Sequence, residues 1–254
     1  MAFVYCSAAF PMIFYIQYTE GGFDMDSTRF PGLTGNQLKL IALITMTIDH
    51  VGMMLFPRLK ILRAIGRIAF PIFAYMIAEG CRHTRNRKKY LLSMASLAAI
   101  CQVVYFFAMG SLYMSVLVTF SLSIGVIYLA EYADKGGRFG TVGLYAALCG
   151  IFFLCYLAHD VLFPKTDFGI EYGLWGVLLP AFAYFGEKKQ KTLQYFTGGL
   201  ALLNLTWGGI QWFSMAAIPL IALYNGKRGK WKMKYLFYIY YPVHLVVIHF
   251  LSLL

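Results

Sequence analysis

The chain has 254 residues, of which 60% are hydrophobic, 18% aromatic and only 13% charged, with a net charge of +11. A soluble domain of this size has too little polar surface to coat so much apolar material, so the composition excludes an ordinary water-soluble enzyme. The positive balance does not indicate nucleic acid either, because Lys and Arg stand in short runs between apolar stretches instead of gathering on one face of a folded domain.

Crossing a bilayer takes about 20 predominantly apolar residues. Residues 1–18 are uncharged and apolar around Pro11. They lack the basic start and small-residue cleavage site of a signal peptide, and either lie in the interface or add a tenth span. After them the sequence predicts nine spans. These are Leu38–Phe56, Ala64–Cys81, Tyr90–Met109, Tyr113–Tyr132, Gly140–Ala158, Gly169–Gly186, Leu193–Leu205, Ile210–Tyr224 and Tyr235–Leu253. The seventh and eighth are short and flanked by glycine. The fold class expected is therefore an all-α polytopic membrane protein, one transmembrane domain over residues 1–254, with the membrane placement of residues 1–33 open.

Nine spans make successive loops alternate sides. The loops after spans two, four, six and eight hold fifteen Lys and Arg; the opposite set holds four: Arg58, Lys60, Arg63 and Lys165. The positive-inside rule places the basic set in the cytoplasm. The five cysteines lie in or beside apolar segments without metal-ligand spacing, and read as small buried apolar residues.

Ionisable residues inside a span cost several kcal/mol unless they face a cavity or a partner, which makes them functional candidates. The first span carries Asp49 and His50, the second Arg67 and Glu79, the last His244 and His249. Arg67 follows Gly66, and Pro71 is expected to break that helix one turn later. His50 and Arg67 fall at similar depth on adjacent spans and can line one polar pocket; equally, Asp49 and Arg67 can be a buried ion pair that locks the two helices. Neighbours on a helix point about 100° apart, so a direct Asp49–His50 bond is not expected. Lys39 stands eleven positions before His50. That spacing returns to within about 20° of the same face, about 16 Å away along the axis. A cation at the mouth in line with a deep imidazole suits a long ligand with an anionic head, such as coenzyme A; an interface anchor is the plainer role for such a Lys.

Two blocks carry a resemblance. They are Lys39-Leu-Ile-Ala-Leu-Ile-Thr-Met-Thr-Ile-Asp49-His50 and Ile65-Gly66-Arg67-Ile68-Ala69-Phe70-Pro71-Ile72-Phe73. With them go Glu79-Gly80, His83-Thr84-Arg85-Asn86-Arg87 and the closing Tyr241-Pro242-Val243-His244. Together, over roughly residues 34–250, they resemble the TraX family of membrane proteins. That family is associated with N-terminal acetylation of conjugative pilin. It looks related to transmembrane acyltransferases in which a cation or amide precedes a His by the spacing of Lys39 and His50.

The resemblance implies a multi-pass protein of the bacterial cytoplasmic membrane that uses acetyl-CoA or another acyl-CoA as donor, with no metal. The acceptor, whether pilin-like peptide, glycan or envelope polymer, is not carried over. His50 is then the expected general base or nucleophile, with Asp49 pairing Arg67, or Arg67 stabilising a developing oxyanion. Lys39 and the cluster of Arg82, Arg85, Arg87, Lys88 and Lys89 are the expected dock for nucleotide phosphates, though plain topology also explains that cluster. Glu79, Tyr238, Tyr241 and His244 are candidates for contact with acceptor or acyl chain; Tyr and His at the Pro242 kink serve equally as a packing cluster. Two readings from other classes stay open: a transporter or flippase using Asp49, Arg67 and Glu79 as a path, and a non-catalytic component of a conjugation or secretion complex.

Overall fold

Thr34 starts the first helix. Its hydroxyl accepts the Gln37 amide while the Gln37 side chain takes the Thr34 N–H at 2.8 Å, a reciprocal cap that uses up orphan donors. The next two N–H groups, Gly35 and Asn36, go to the Lys227 and Arg228 carbonyls at 2.8 and 3.0 Å. Helix α1 (Gly35–Met54) is thus fastened at its foot to the segment before the last helix. The computed structural model describes residues 32–136, 138–230 and 234–252, and side chains at 108–109 and 234–238 are outside the description. The segment 1–18, with its interfacial or tenth-span alternatives, lies outside the described residues.

The second predicted span is two helices, α2 (Lys60–Gly66) and α3 (Ala69–His83), broken at Arg67–Ile68. The break comes before Pro71, not at it. Pro71 sits in the first turn of α3, where a missing N–H has no intrahelical partner to lose. The break instead falls beside Gly66, where a Cβ would lie 2.2 Å from the Asp49 side chain. Such proximity lets α2 press directly on α1 and leaves Arg67 at the corner.

The chain continues through α4 (Arg87–Met109), strand β1 (Tyr113–Met114), α5 (Val116–Gly136), α6 (Arg138–Tyr156) and a short α7 (Ala158–Leu162). Then come β2 (Gly169–Ile170), α8 (Gly173–Tyr184), α9 (Lys189–Trp207), a 3-10 helix (Gly209–Ala216), α10 (Ala217–Ala222) and α11 (Lys234–Ser252). Strands β1 and β2 form one parallel pair, Tyr113 opposite Gly169 and Met114 opposite Ile170. The core lies where α1, α3, α5, α8 and α9 meet, around Leu38, Ile72, Ile124, Leu179 and Phe196, all fully buried.

The outward faces are as apolar as the core. Phe139 is 90% exposed and Phe107 82%, and the outer face of α6 carries Val142, Tyr145 and Phe152 in the open. Such surface is stable against lipid and not against water. Among the described residues four helices are long and apolar enough to cross a bilayer: Lys60–His83 (α2 and α3 taken together), Arg87–Phe107, Val116–Gly136 and Arg138–Tyr156. The other predicted spans have helical counterparts that are shorter or more polar. The sixth is reduced to the 12 residues of α8, about 18 Å at 1.5 Å per residue. The eighth divides into the 3-10 helix and α10.

Candidate active site

On α1, Asp49 and His50 diverge as neighbours on a helix must. Asp49, at 8% exposure, faces the α2–α3 corner. Arg63 Nη1 donates to one carboxylate oxygen at 2.5 Å, and Arg67 Nη2 lies 2.7 Å from both oxygens. Arg67 also points Nη1 at the Gln211 side-chain oxygen, a long 3.4 Å contact. Arg67 Nε and Gln211 Nε2 are buried donors without a hydrogen-bond partner among the described residues. The corner thus sets the Asp49 carboxylate against two guanidinium groups and leaves unspent donors.

His50 turns to the other side. Its Nδ1 lies 2.9 Å from the Met46 carbonyl. A carbonyl only accepts, so Nδ1 carries the proton and Nε2 keeps the lone pair. Against it stands His244 of α11, with Nε2 3.4 Å from His50 Nδ1 and ring centroids 5.0 Å apart. Tyr240 stacks on the His244 ring at 5.2 Å, and its hydroxyl bonds Thr47 at 2.6 Å. Tyr241 meets the same ring edge-on at 5.6 Å.

A cavity of about 560 Å³ opens at the foot of α1. Asn36, Lys39, His83, Lys89 and Arg228 line its mouth; Leu43, Met46, Phe73, Leu117 and Tyr241 line its inner part. Lys39 and Met46 sit about 10 Å apart along the helix. The inner wall therefore includes both the residue whose carbonyl holds His50 and the tyrosine that abuts His244.

Of the basic residues expected at this mouth, Lys39 lines the cavity, while Arg82, Arg85 and Arg87 are not among its lining residues. Arg82 bonds Glu79 at 2.8 Å and turns its other nitrogen to the carbonyls of Ala183, Tyr184 and Gly186, at and just past the end of α8. Arg87 pairs with Glu131 at 2.7 Å, and Arg85 is exposed. Lys89, expected in that dock, does line the cavity, and Arg228 joins it. Lys89 belongs to the same sequence cluster, three residues past the cap Asn86, whereas nothing local in the sequence singles out Arg228. Glu79 and Tyr241 line the cavity; the Tyr238 side chain lies outside the described residues.

Arg63, Gln211 and Tyr172 were not anticipated. Arg63 was readable, since it precedes Arg67 by one helical turn and so shares its face. Tyr172 has φ 63°, an uncommon conformation for a non-glycine residue, and stacks on Phe70 at 3.7 Å. Its strap is tied at the other end by Asp167. That carboxylate takes the Ser111 hydroxyl and the Leu112 N–H, which hold it below the ordinary carboxylate range.

The pattern of the family described as TraX protein matches residues 34–252, from the cap of α1 to the end of α11. The chain belongs to the TraX family. A curated relative of this TraX chain is the "Probable fimbrial assembly protein FimC, serogroup H1" of Dichelobacter nodosus. It is 27% identical over 242 residues, covering 84% of this chain and 93% of the relative. A second is the "Uncharacterized protein RP591" of Rickettsia prowazekii (strain Madrid E), 58% identical over 38 residues, 15% of each chain. No solved structure matches.

Proposed function

We propose that this TraX protein is a nine-span acyltransferase of the bacterial cytoplasmic membrane. It moves an acyl group, acetyl in the simplest case, from cytoplasmic acyl-CoA to an amine or hydroxyl presented from the outer side. The observation that carries this reading is the cavity, which opens among Lys39, Lys89 and Arg228 and has Met46 and Tyr241 in its inner wall.

Coenzyme A would set its phosphates at the cationic mouth and its pantetheine arm along the apolar wall, with the thioester beyond Met46 toward His50, which is not itself among the lining residues. The acceptor nucleophile loses its proton to His50 Nε2 as it attacks the thioester carbonyl. The C–S bond then breaks, and the proton passes to the leaving thiolate. In the alternative order, Nε2 itself takes the acyl group and the acceptor removes it in a second step. Arg67 supplies positive charge and an unused Nε–H to the developing oxyanion, and Asp49 with Arg63 holds it in place.

The test is thermal shift of the detergent-purified protein with acetyl-CoA, against CoA lacking its 3′-phosphate and against a His50→Ala variant. A stabilising shift that weakens without the phosphate, and a variant that binds donor but does not turn it over, support the reading. No shift at millimolar donor sinks it. The relative's name supports a second reading, a part in fimbrial assembly; where that part is non-catalytic, His50→Ala leaves function intact. A transporter or flippase predicts no dependence on acyl-CoA.

A further inference from the structure

The Asp49 carboxylate, which in sequence sits next to His50, is occupied elsewhere by Arg63 and Arg67. The group that does face His50 is another imidazole, brought from 194 residues away.

The proton positions of the pair follow from its carbonyl partners. His244 Nδ1 lies 2.9 Å from the Tyr240 carbonyl, so it is a donor, and His244 Nε2 is left as a bare acceptor. His50 Nδ1 is a donor by the same logic through Met46. The contact between them is therefore His50 Nδ1–H shared between the Met46 oxygen and the His244 Nε2 lone pair. His244 is held for this by Tyr240 stacked on one face and Tyr241 at its edge. It is 6% exposed, so water does not compete freely for that lone pair.

We propose that His244 is a positioning residue for His50. Together with the Met46 carbonyl it holds the His50 proton on Nδ1, which leaves Nε2 as the single reactive nitrogen, and its lone pair takes a stronger hydrogen bond from Nδ1–H when Nε2 gains a proton or an acyl group. No proton crosses between the rings. His50 Nδ1–H stays bonded throughout, so that His50 alone carries the transient charge. The catalytic meaning of this rests on the acyl-transfer reading above; the ring geometry does not. His244 has no contact with substrate in this role, unlike the acceptor contact suggested by its place after Pro242.

Imidazole nitrogen NMR of the full chain in detergent, with ¹⁵N-labelled histidine, decides the matter, because protonated and bare ring nitrogens resonate far apart. The expected wild-type spectrum at neutral pH has Nδ1–H and bare Nε2 on both His50 and His244. His244→Phe, which leaves the Met46 carbonyl as the acceptor for Nδ1–H, is expected to let part of the His50 population leave the Nδ1–H form. His244→Gln, whose amide oxygen replaces the acceptor, is expected to restore the Nδ1–H form. With acetyl-CoA as donor, His244→Phe lowers turnover by about tenfold or more with little change in donor KM, and His244→Gln recovers most of it.

A proton on Nε2 of either ring in the wild type overturns the proposal even if the Phe variant fails to fold. So does a His50 spectrum unchanged by His244→Phe, which would mean that Met46 alone sets the tautomer. The expected spectra without acetyl-CoA turnover leave the pairing standing and remove the acyl-transfer reading. Turnover with unaffected His50 does the reverse.

Discussion

Single residues at the α1–α2 contact carry sharp expectations. A Cβ on residue 66 would lie 2.2 Å from the Asp49 side chain, and Asp49 is pinned by two guanidinium groups and does not yield cheaply. Gly66→Ala is therefore expected to destabilise the protein by ~1–3 kcal/mol, the usual range for overpacking. Gly143→Ala, with open space around its Cβ, serves as the control and stays near wild type in thermal unfolding. The ion pair gives a second test. Asp49→Asn strands Arg63 and Arg67 without their anion, a loss of about 3 kcal/mol or more. Asp49→Asn combined with Arg67→Met removes the anion together with one of its two cations, so the double variant is expected to unfold closer to wild type than the singles add to. Strict additivity of the melting shifts refutes the coupling. The Asp49–Arg67 pairing was legible from the sequence because helical geometry alone separates Asp49 from His50, and span order puts Arg67 at the same depth. The His50–His244 pairing was not. Neither residue's neighbours encode it, since it depends on α11 returning to α1.

At the scale of elements, the run from Arg82 to Lys89 looks uniform in sequence and is divided in space. Arg82 belongs to the α3–α8 joint, where it closes three carbonyls, while Lys89 lies on the cavity mouth. Arg82→Gln is expected to lower the melting temperature and leave donor affinity alone. Lys89→Gln is expected to weaken acetyl-CoA about 3–10-fold at unchanged melting temperature, the loss of one exposed charge-assisted contact. Isothermal titration beside thermal unfolding separates the two, and a swapped pattern refutes the assignment of the mouth. Where the elements depart from expectation the reasons are local. The α2–α3 break was assigned to Pro71 because proline is the strongest breaker in the sequence. Pro71 proves to be a first-turn residue, and the break falls beside Gly66, which lies against Asp49. The sixth span shortened because β2 and the left-handed Tyr172 take up residues that hydropathy alone assigns to helix.

For the whole molecule, hydropathy and loop charge predict nine crossings, whereas helix length and apolarity together support four among the described residues. The two can hold together if the shorter helices lie in a polar interior, where they need not each span about 30 Å of hydrocarbon unaided. The cluster of Asp49, Arg63, Arg67, His50 and His244 supplies such an interior, and the short 3-10 helix brings Gln211 beside it. What distinguishes the arrangements is which face each loop meets. With the native cysteines changed to Ser, single cysteines placed by Arg85→Cys and Lys230→Cys are expected to react with a membrane-impermeant thiol reagent only from the cytoplasmic side. Lys165→Cys is expected to react only from the opposite side, as the positive-inside count requires. Labelling of positions 85 and 230 from opposite faces would mean an odd number of crossings between them and rule out the nine-span order. Labelling of 85, 165 and 230 all from one face would leave the cavity and His50 without a second side from which an acceptor arrives, and transfer across the membrane would have to give way to chemistry confined to the cytoplasmic face.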